Sequence, residues 1–126
     1  DLAIVDKRRI SGSVVAVEHI IGEVEGRNVI IVDDMISTGG SITEAAGIVR
    51  KNRAKSVVIA VTHPVFCGPA IERLTNAPVD KVLVTDSIPS GEDWPDVIEV
   101  VSVAPLLAKA IHNIHHSTSV SVLFDA

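Results

Sequence analysis

Two adjacent carboxylates, Asp33 and Asp34, are followed three residues later by Ser37, Thr38, Gly39, Gly40 and Ser41. With no basic residue beside them in sequence, two neighbouring carboxylates are costly to bury together, so they face a cation, solvent or donors such as sugar hydroxyls. The stretch after them does the opposite job. Gly39 and Gly40 tolerate backbone angles and close approach that a side chain forbids. A tight bend there brings backbone N–H groups together at the amino end of a helix, where free donors and the helix dipole favour an anion. A ligand with a vicinal diol at one end and a phosphate at the other satisfies both halves, and ribose 5-phosphate is the simplest example. A plainer reading has Asp33 starting a turn and Thr38 or Ser41 capping a helix. It leaves the acidic pair and the second glycine without a use. The stretch lacks the lysine of a nucleotide P-loop, and its glycine spacing is not that of a dinucleotide fold.

These residues need a strand before them and a helix after them. Short, fully apolar runs rich in Val and Ile occur at Leu2 to Val5, Val29 to Val32, Val57 to Val61, Val82 to Val84 and Val97 to Val101, as expected of parallel strands. Helical periodicity lies between and after them: Ile42, Ala45, Ala46 and Val49 share one face, as do Leu107, Ala110, Ile111 and Ile114. A shorter helix is predicted from near Pro69 through Ile71 and Leu74. The alternation implies an α/β fold, an open parallel sheet with helices on both faces and right-handed crossovers. In such sheets ligands bind where strands end and helices begin, which is where Asp33 and Asp34 are predicted to lie. Residues 87 to 96 read as a surface loop. Residues 7 to 14 break the strand pattern and are followed by "VAVEHII". This predicts two strands joined by a mobile arm, a small flag-like extension apart from the main sheet.

At 126 residues and 47% hydrophobic, the chain has the size and composition of one globular domain. A net charge of -5 and a pI near 5.4 argue against a nucleic-acid-wrapping surface, and Lys7-Arg8-Arg9 is too short a basic run to supply one. The single cysteine, Cys67, excludes an internal disulfide framework and is expected to be a small packed residue in a reducing compartment. No apolar run reaches transmembrane length and no signal peptide is visible, so no membrane partner is expected. The chain starts without methionine, directly in a predicted strand, as part of something longer would.

Other candidates are weaker. His112 and His116 have the i, i+4 spacing that can clamp a metal, but no acidic or cysteine partner accompanies them, and with His115 they read as a solvated helix end. His63 follows a strand end and precedes Pro64, where turn packing is favoured over ligand contact. Glu18 and His19 alternate across the second strand of the extension.

The stretch "VIIVDDMISTGGSI" resembles the ribose-phosphate binding signature of type I phosphoribosyltransferase folds. The segments "DLAIVDKRR", "THPVFCGPAIERL", "VLVTDSIP", "SVAPLLAKAIHNIH" and "SVSVLFD" resemble, in that order, the carboxy-terminal domain of the ribose-phosphate pyrophosphokinases, over nearly the whole chain. The resemblance implies that residues 1–126 form that domain, with the family's amino-terminal domain absent. It implies part of an enzyme that moves the diphosphoryl group of Mg-ATP to ribose 5-phosphate, giving phosphoribosyl pyrophosphate and AMP. Ser37, Thr38, Gly39, Gly40 and Ser41 would then hold the 5-phosphate. Asp33 and Asp34 would hold the ribose hydroxyls, directly or through Mg2+. The family's catalytic arm places its lysine and arginine at Lys7 and Arg9, a point charge and a planar fork to meet the phosphates. Ser119, Ser121 and Phe124 match a regulatory phosphate or ADP site between subunits. Many members have aspartate at the position of Ser37, so no base role is assigned there. The family also implies a cytoplasmic homo-oligomer, in which ATP's adenine is held by the amino-terminal domain, so the 126 residues alone should make no product. A purine or pyrimidine phosphoribosyltransferase would need a base-binding hood and a pyrophosphate loop, and neither is recognisable. A non-catalytic regulatory relative of the synthetase can lose or interrupt the arm, whereas "KRR" is intact.

Overall fold

A computed structural model of the chain describes residues 1–9, 16–89, 91 and 93–124. In chain order the elements are β1 (Ile4–Arg9), β2 (Ala16–Ile21), β3 (Asn28–Ile36), α1 (Gly40–Lys51), β4 (Ser56–Pro64), α2 (Ala70–Asn76), β5 (Lys81–Thr85), β6 (Ile98–Val101) and α3 (Ala104–His115), with a 3-10 turn at Ser121–Leu123. The Val- and Ile-rich runs from β3 onward become one parallel sheet in the order β3-β4-β5-β6. Its register sets Val29 and Ile31 beside Val57 and Ile59, and Ile59 and Val61 beside Val82 and Val84. The two-residue period of a strand puts all of these on one face.

The strands are added in one direction only, so right-handed crossovers carry both connecting helices to the same side. Ile42, Ala46 and Val49 of α1 and Leu74 of α2 pack on that face. Val57, Ile59, Leu74 and Val82 are completely buried. Each such side chain contributes about 1.5–3 kcal/mol relative to remaining in water. On the opposite face Ile30 is 64% and Val32 77% exposed. No helix is long and apolar enough to cross a membrane among the described residues.

β1 and β2 form a separate antiparallel ribbon, from Ile4 opposite Ile21 to Arg9 opposite Ala16, which is the expected flag-like extension. Two predicted boundaries change. Lys7, Arg8 and Arg9 lie inside β1 and not in an irregular arm, because backbone pairing with Glu18, Val17 and Ala16 carries the strand past its apolar residues. Residues 10 to 14 of the expected arm lie outside the described residues. β3 also runs four residues beyond Val32, since β4 continues to Pro64 and pairs His63 with Met35 and Pro64 with Ile36.

Two carboxylates fasten the ends of these elements. Asp80 accepts the Val57 N–H (2.7 Å) at the start of β4 and the Arg50 guanidinium (2.8 Å) from the last turn of α1. The Val57 N–H first and Arg50 second hold its carboxyl below the usual range. Asp86 stands before α3, accepting the Ser102 hydroxyl and the Val103 N–H. These two bonds, in that order, lower its pKa as well.

Candidate functional site

α1 begins at a bend that its own sequence does not neutralise. Its N-cap is Gly39 at φ +75°, with no side-chain cap and no acidic residue in the first turn, so the positive end of the helix dipole is open. Gly39 is required by that positive φ. The carbonyls leading into the helix are all engaged. Ile36 accepts the Phe66 N–H (3.0 Å), Ser37 the Cys67 N–H (2.9 Å) and Thr38 the Arg73 guanidinium (2.9 Å). Gly39 accepts both the N–H (3.1 Å) and the hydroxyl (2.8 Å) of Thr43. In a trans peptide the carbonyl and the following N–H point opposite ways, and no described peptide is cis. Fixing these carbonyls therefore aims the N–H groups that follow them away from the donors that hold the carbonyls. The N–H groups of Thr38 through Ile42 meet no backbone acceptor among the described residues. Residues 33 to 42 line an open cleft of about 250 Å3. That is below the roughly 300–1,000 Å3 of sites for drug-sized molecules, a scale for a small polar ligand.

Asp33 and Asp34 both line this cleft. Consecutive strand residues normally point to opposite faces. Here the Asp33 carboxylate turns along the chain so that its Oδ1 accepts the Asp34 N–H at 2.9 Å. Both side chains are exposed, so water screens the two charges. Ser37 Oγ lies 3.3 Å from Cys67 Sγ. Cys67 is exposed, which corrects the expectation of a packed cysteine. Its backbone is pinned to Ser37 at the carboxyl edge of the sheet, outside the helix-covered core.

The structure brings Asp33, Asp34 and Ser37 to Ser41 together in one cleft. Lys7 and Arg9 are on the ribbon, in β1. Ser119, Ser121 and Phe124 lie beyond α3, and none of them lines the cleft. There the Ser119 and Ser121 hydroxyls bond at 2.6 Å, and Phe124 is 75% exposed. His63 Nδ1 meets Ser87 Oγ at 2.9 Å, and that hydroxyl in turn donates to the Thr62 carbonyl at 2.9 Å. Ser87 has one proton to give, so Nδ1 is the donor and the imidazole is locked against the turn. His116 Nδ1 lies 2.9 Å from the His112 carbonyl, and the described residues hold no group of three or more His, Cys, Asp or Glu placed for a metal ion.

Sequence reasoning missed the segment that braces the bend. Phe66 reaches Ile36 with a left-handed φ of +43°, and its ring packs edge-on against Trp94 with centroids 5.0 Å apart. No local pattern predicts that angle in a phenylalanine. The only hint was the position of "VFCGPAIER" after a strand that ends beside the site.

Known proteins share this chain's sequence and fold. The model of the phosphoribosyl synthetase-associated domain family matches residues 13–125. A ribose-phosphate pyrophosphokinase of Rhodopirellula baltica is 54% identical over 126 residues, a match covering 98% of this chain and 40% of that protein. One of Oceanobacillus iheyensis is 46% identical over 125 residues, covering 98% and 39%. The chain thus spans about 40% of the length of these relatives. Among solved structures, the phosphoribosylpyrophosphate synthetase of Mycobacterium smegmatis superposes with a TM-score of 0.76 at 35% identity, over 90% of this chain and 37% of that one. With the family model matched over residues 13–125 and the fold shared with that solved structure, the chain belongs to the phosphoribosyl synthetase-associated domain family.

Proposed function

We propose that residues 1–126 are the ribose 5-phosphate-binding domain of an enzyme that transfers the diphosphoryl group of ATP to the anomeric hydroxyl of ribose 5-phosphate, giving phosphoribosyl pyrophosphate and AMP. One observation carries this reading: unmet N–H groups at a helix mouth share a cleft with two exposed carboxylates. The N–H groups and hydroxyls of Ser37 to Ser41 hold the 5-phosphate. Asp33 and Asp34 accept from the ribose 2- and 3-hydroxyls, directly or through Mg2+. Two carboxylates at an open rim are a donor set suited to Mg2+, which takes one or two protein carboxylates and keeps several waters. When bound, the ion supplies positive charge against the phosphates. Lys7 and Arg9, on the ribbon, are the cations that meet charge on the transferring and leaving oxygens.

ATP's adenine is held outside this chain, in a cytoplasmic homo-oligomer of the longer enzyme. Ser119, Ser121 and Phe124 contribute to a regulatory anion site between its subunits. Isothermal titration of the 126-residue chain should give binding of ribose 5-phosphate that exceeds that of ribose or of inorganic phosphate alone. Equal affinity for all three would refute the two-ended grip. AMP release by the chain alone from ATP and ribose 5-phosphate would refute the division of labour.

A further inference from the structure

α2 contributes one cation to the back of the phosphate bend. Arg73 Nη1 donates to the Thr38 carbonyl at 2.9 Å, reaching out of its own helix and across to the start of another. Room is left for it: a Cβ on Gly40 would stand 3.3 Å from that same Nη1. Gly40 does not have the left-handed backbone of Gly39, so its missing side chain serves close approach and not a turn. The other carbonyls of the bend are held by backbone N–H groups, from Phe66, Cys67 and Thr43. Among the described residues, Thr38 is the one of these four whose carbonyl has a charged side chain as its only donor.

We propose that Arg73 is a positioning residue for the anion site, an inference that rests on the reading of Ser37 to Ser41 as a phosphate loop. By holding the Thr38 carbonyl toward α2 it turns the N–H of Gly39 the other way, into the cleft. Its fixed positive charge lies behind Gly40, where it adds to the dipole of α1 in favouring a phosphate. A neutral donor would orient the peptide without that second effect. A lysine would keep the charge and lose the planar fork.

The test uses the full 126-residue chain with Arg73→Met and Arg73→Lys, titrated with ribose 5-phosphate and with inorganic phosphate, each variant also melted. The methionine variant should bind both ligands about tenfold more weakly or worse. The lysine variant should regain part of that loss, and both should melt close to the parent. Parental affinity in Arg73→Met would overturn the role of Arg73 and leave the phosphate loop standing. Equal loss in both variants with a lowered melting temperature would reduce Arg73 to packing and likewise overturn it. Absence of phosphate binding by the parent would overturn the loop reading itself, and this inference with it.

Discussion

Replacing Gly39 with alanine perturbs the phosphate bend through its backbone. At φ +75° a Cβ faces a steric penalty of about 1–2 kcal/mol. The added atom would lie 3.5 Å from Ala70 Cα and O and 3.8 Å from Arg73 Cβ, ordinary contacts that add no clash. The whole effect should therefore be conformational, a destabilisation of about 1–2 kcal/mol or a melting point lower by roughly 3–10 °C. Gly40→Ala should behave differently. Gly40 opens the helix, where alanine is favoured by about 0.5–1 kcal/mol, and its Cβ would meet only the far end of the Arg73 side chain. Stability should stay within about 1 kcal/mol of the parent, while displacement of the guanidinium from Thr38 weakens ribose 5-phosphate by about tenfold. Urea unfolding followed by the single tryptophan, Trp94, measures the first quantity and calorimetric titration the second. If Gly39→Ala unfolds at the parent's midpoint, the bend is not held where the structure puts it. If the two variants lose stability alike and bind alike, the separation of backbone angle from guanidinium space is wrong.

Asp34→Asn should weaken ribose 5-phosphate about tenfold and leave inorganic phosphate unchanged in the same titration. A parallel loss for both ligands would assign Asp34 to building the loop and not to the sugar. Asp80 and Asp86 have folded pKa values below their usual 3.8. The unfolded chain therefore takes up protons first, and the stability they contribute is complete above that value and lost as pH falls through the lower folded values. Melting temperatures should drop on that acid side, and Asp86→Asn should flatten the drop; an unchanged slope would remove Asp86 as a contributor. Leu74→Ala empties a fully buried position beneath α2 and should cost about 2–5 kcal/mol in urea unfolding.

The sheet and the cleft were legible in the sequence for different reasons. Runs such as Val29 to Val32 and Val57 to Val61 announce parallel strands because both faces avoid polar side chains, and the bend announces itself because few sites need an acidic pair and two glycines at once. What escaped depends on partners distant in the chain. Met35 and Ile36 are strand only because His63 and Pro64 lie alongside. The charged residues of β1 are strand only because β2 returns beside them. The ties from Phe66, Cys67 and Arg73 to the bend, and from Asp86 to α3, join residues 16 to 35 positions apart, beyond any local period. For such contacts the residue types are compatible with many placements, and tertiary packing selects one.

The one-way growth of the parallel sheet affects how the chain should behave in a test tube. Ile30 and Val32 stand bare on one flank, and among the described residues β3 has a hydrogen-bonded neighbour on one side only. An apolar flank beside an open strand edge invites molecules to stick together, so concentrated stocks of these 126 residues should self-associate. A lysine in place of Val32, 77% exposed, should improve solubility while leaving the buried side of the sheet intact.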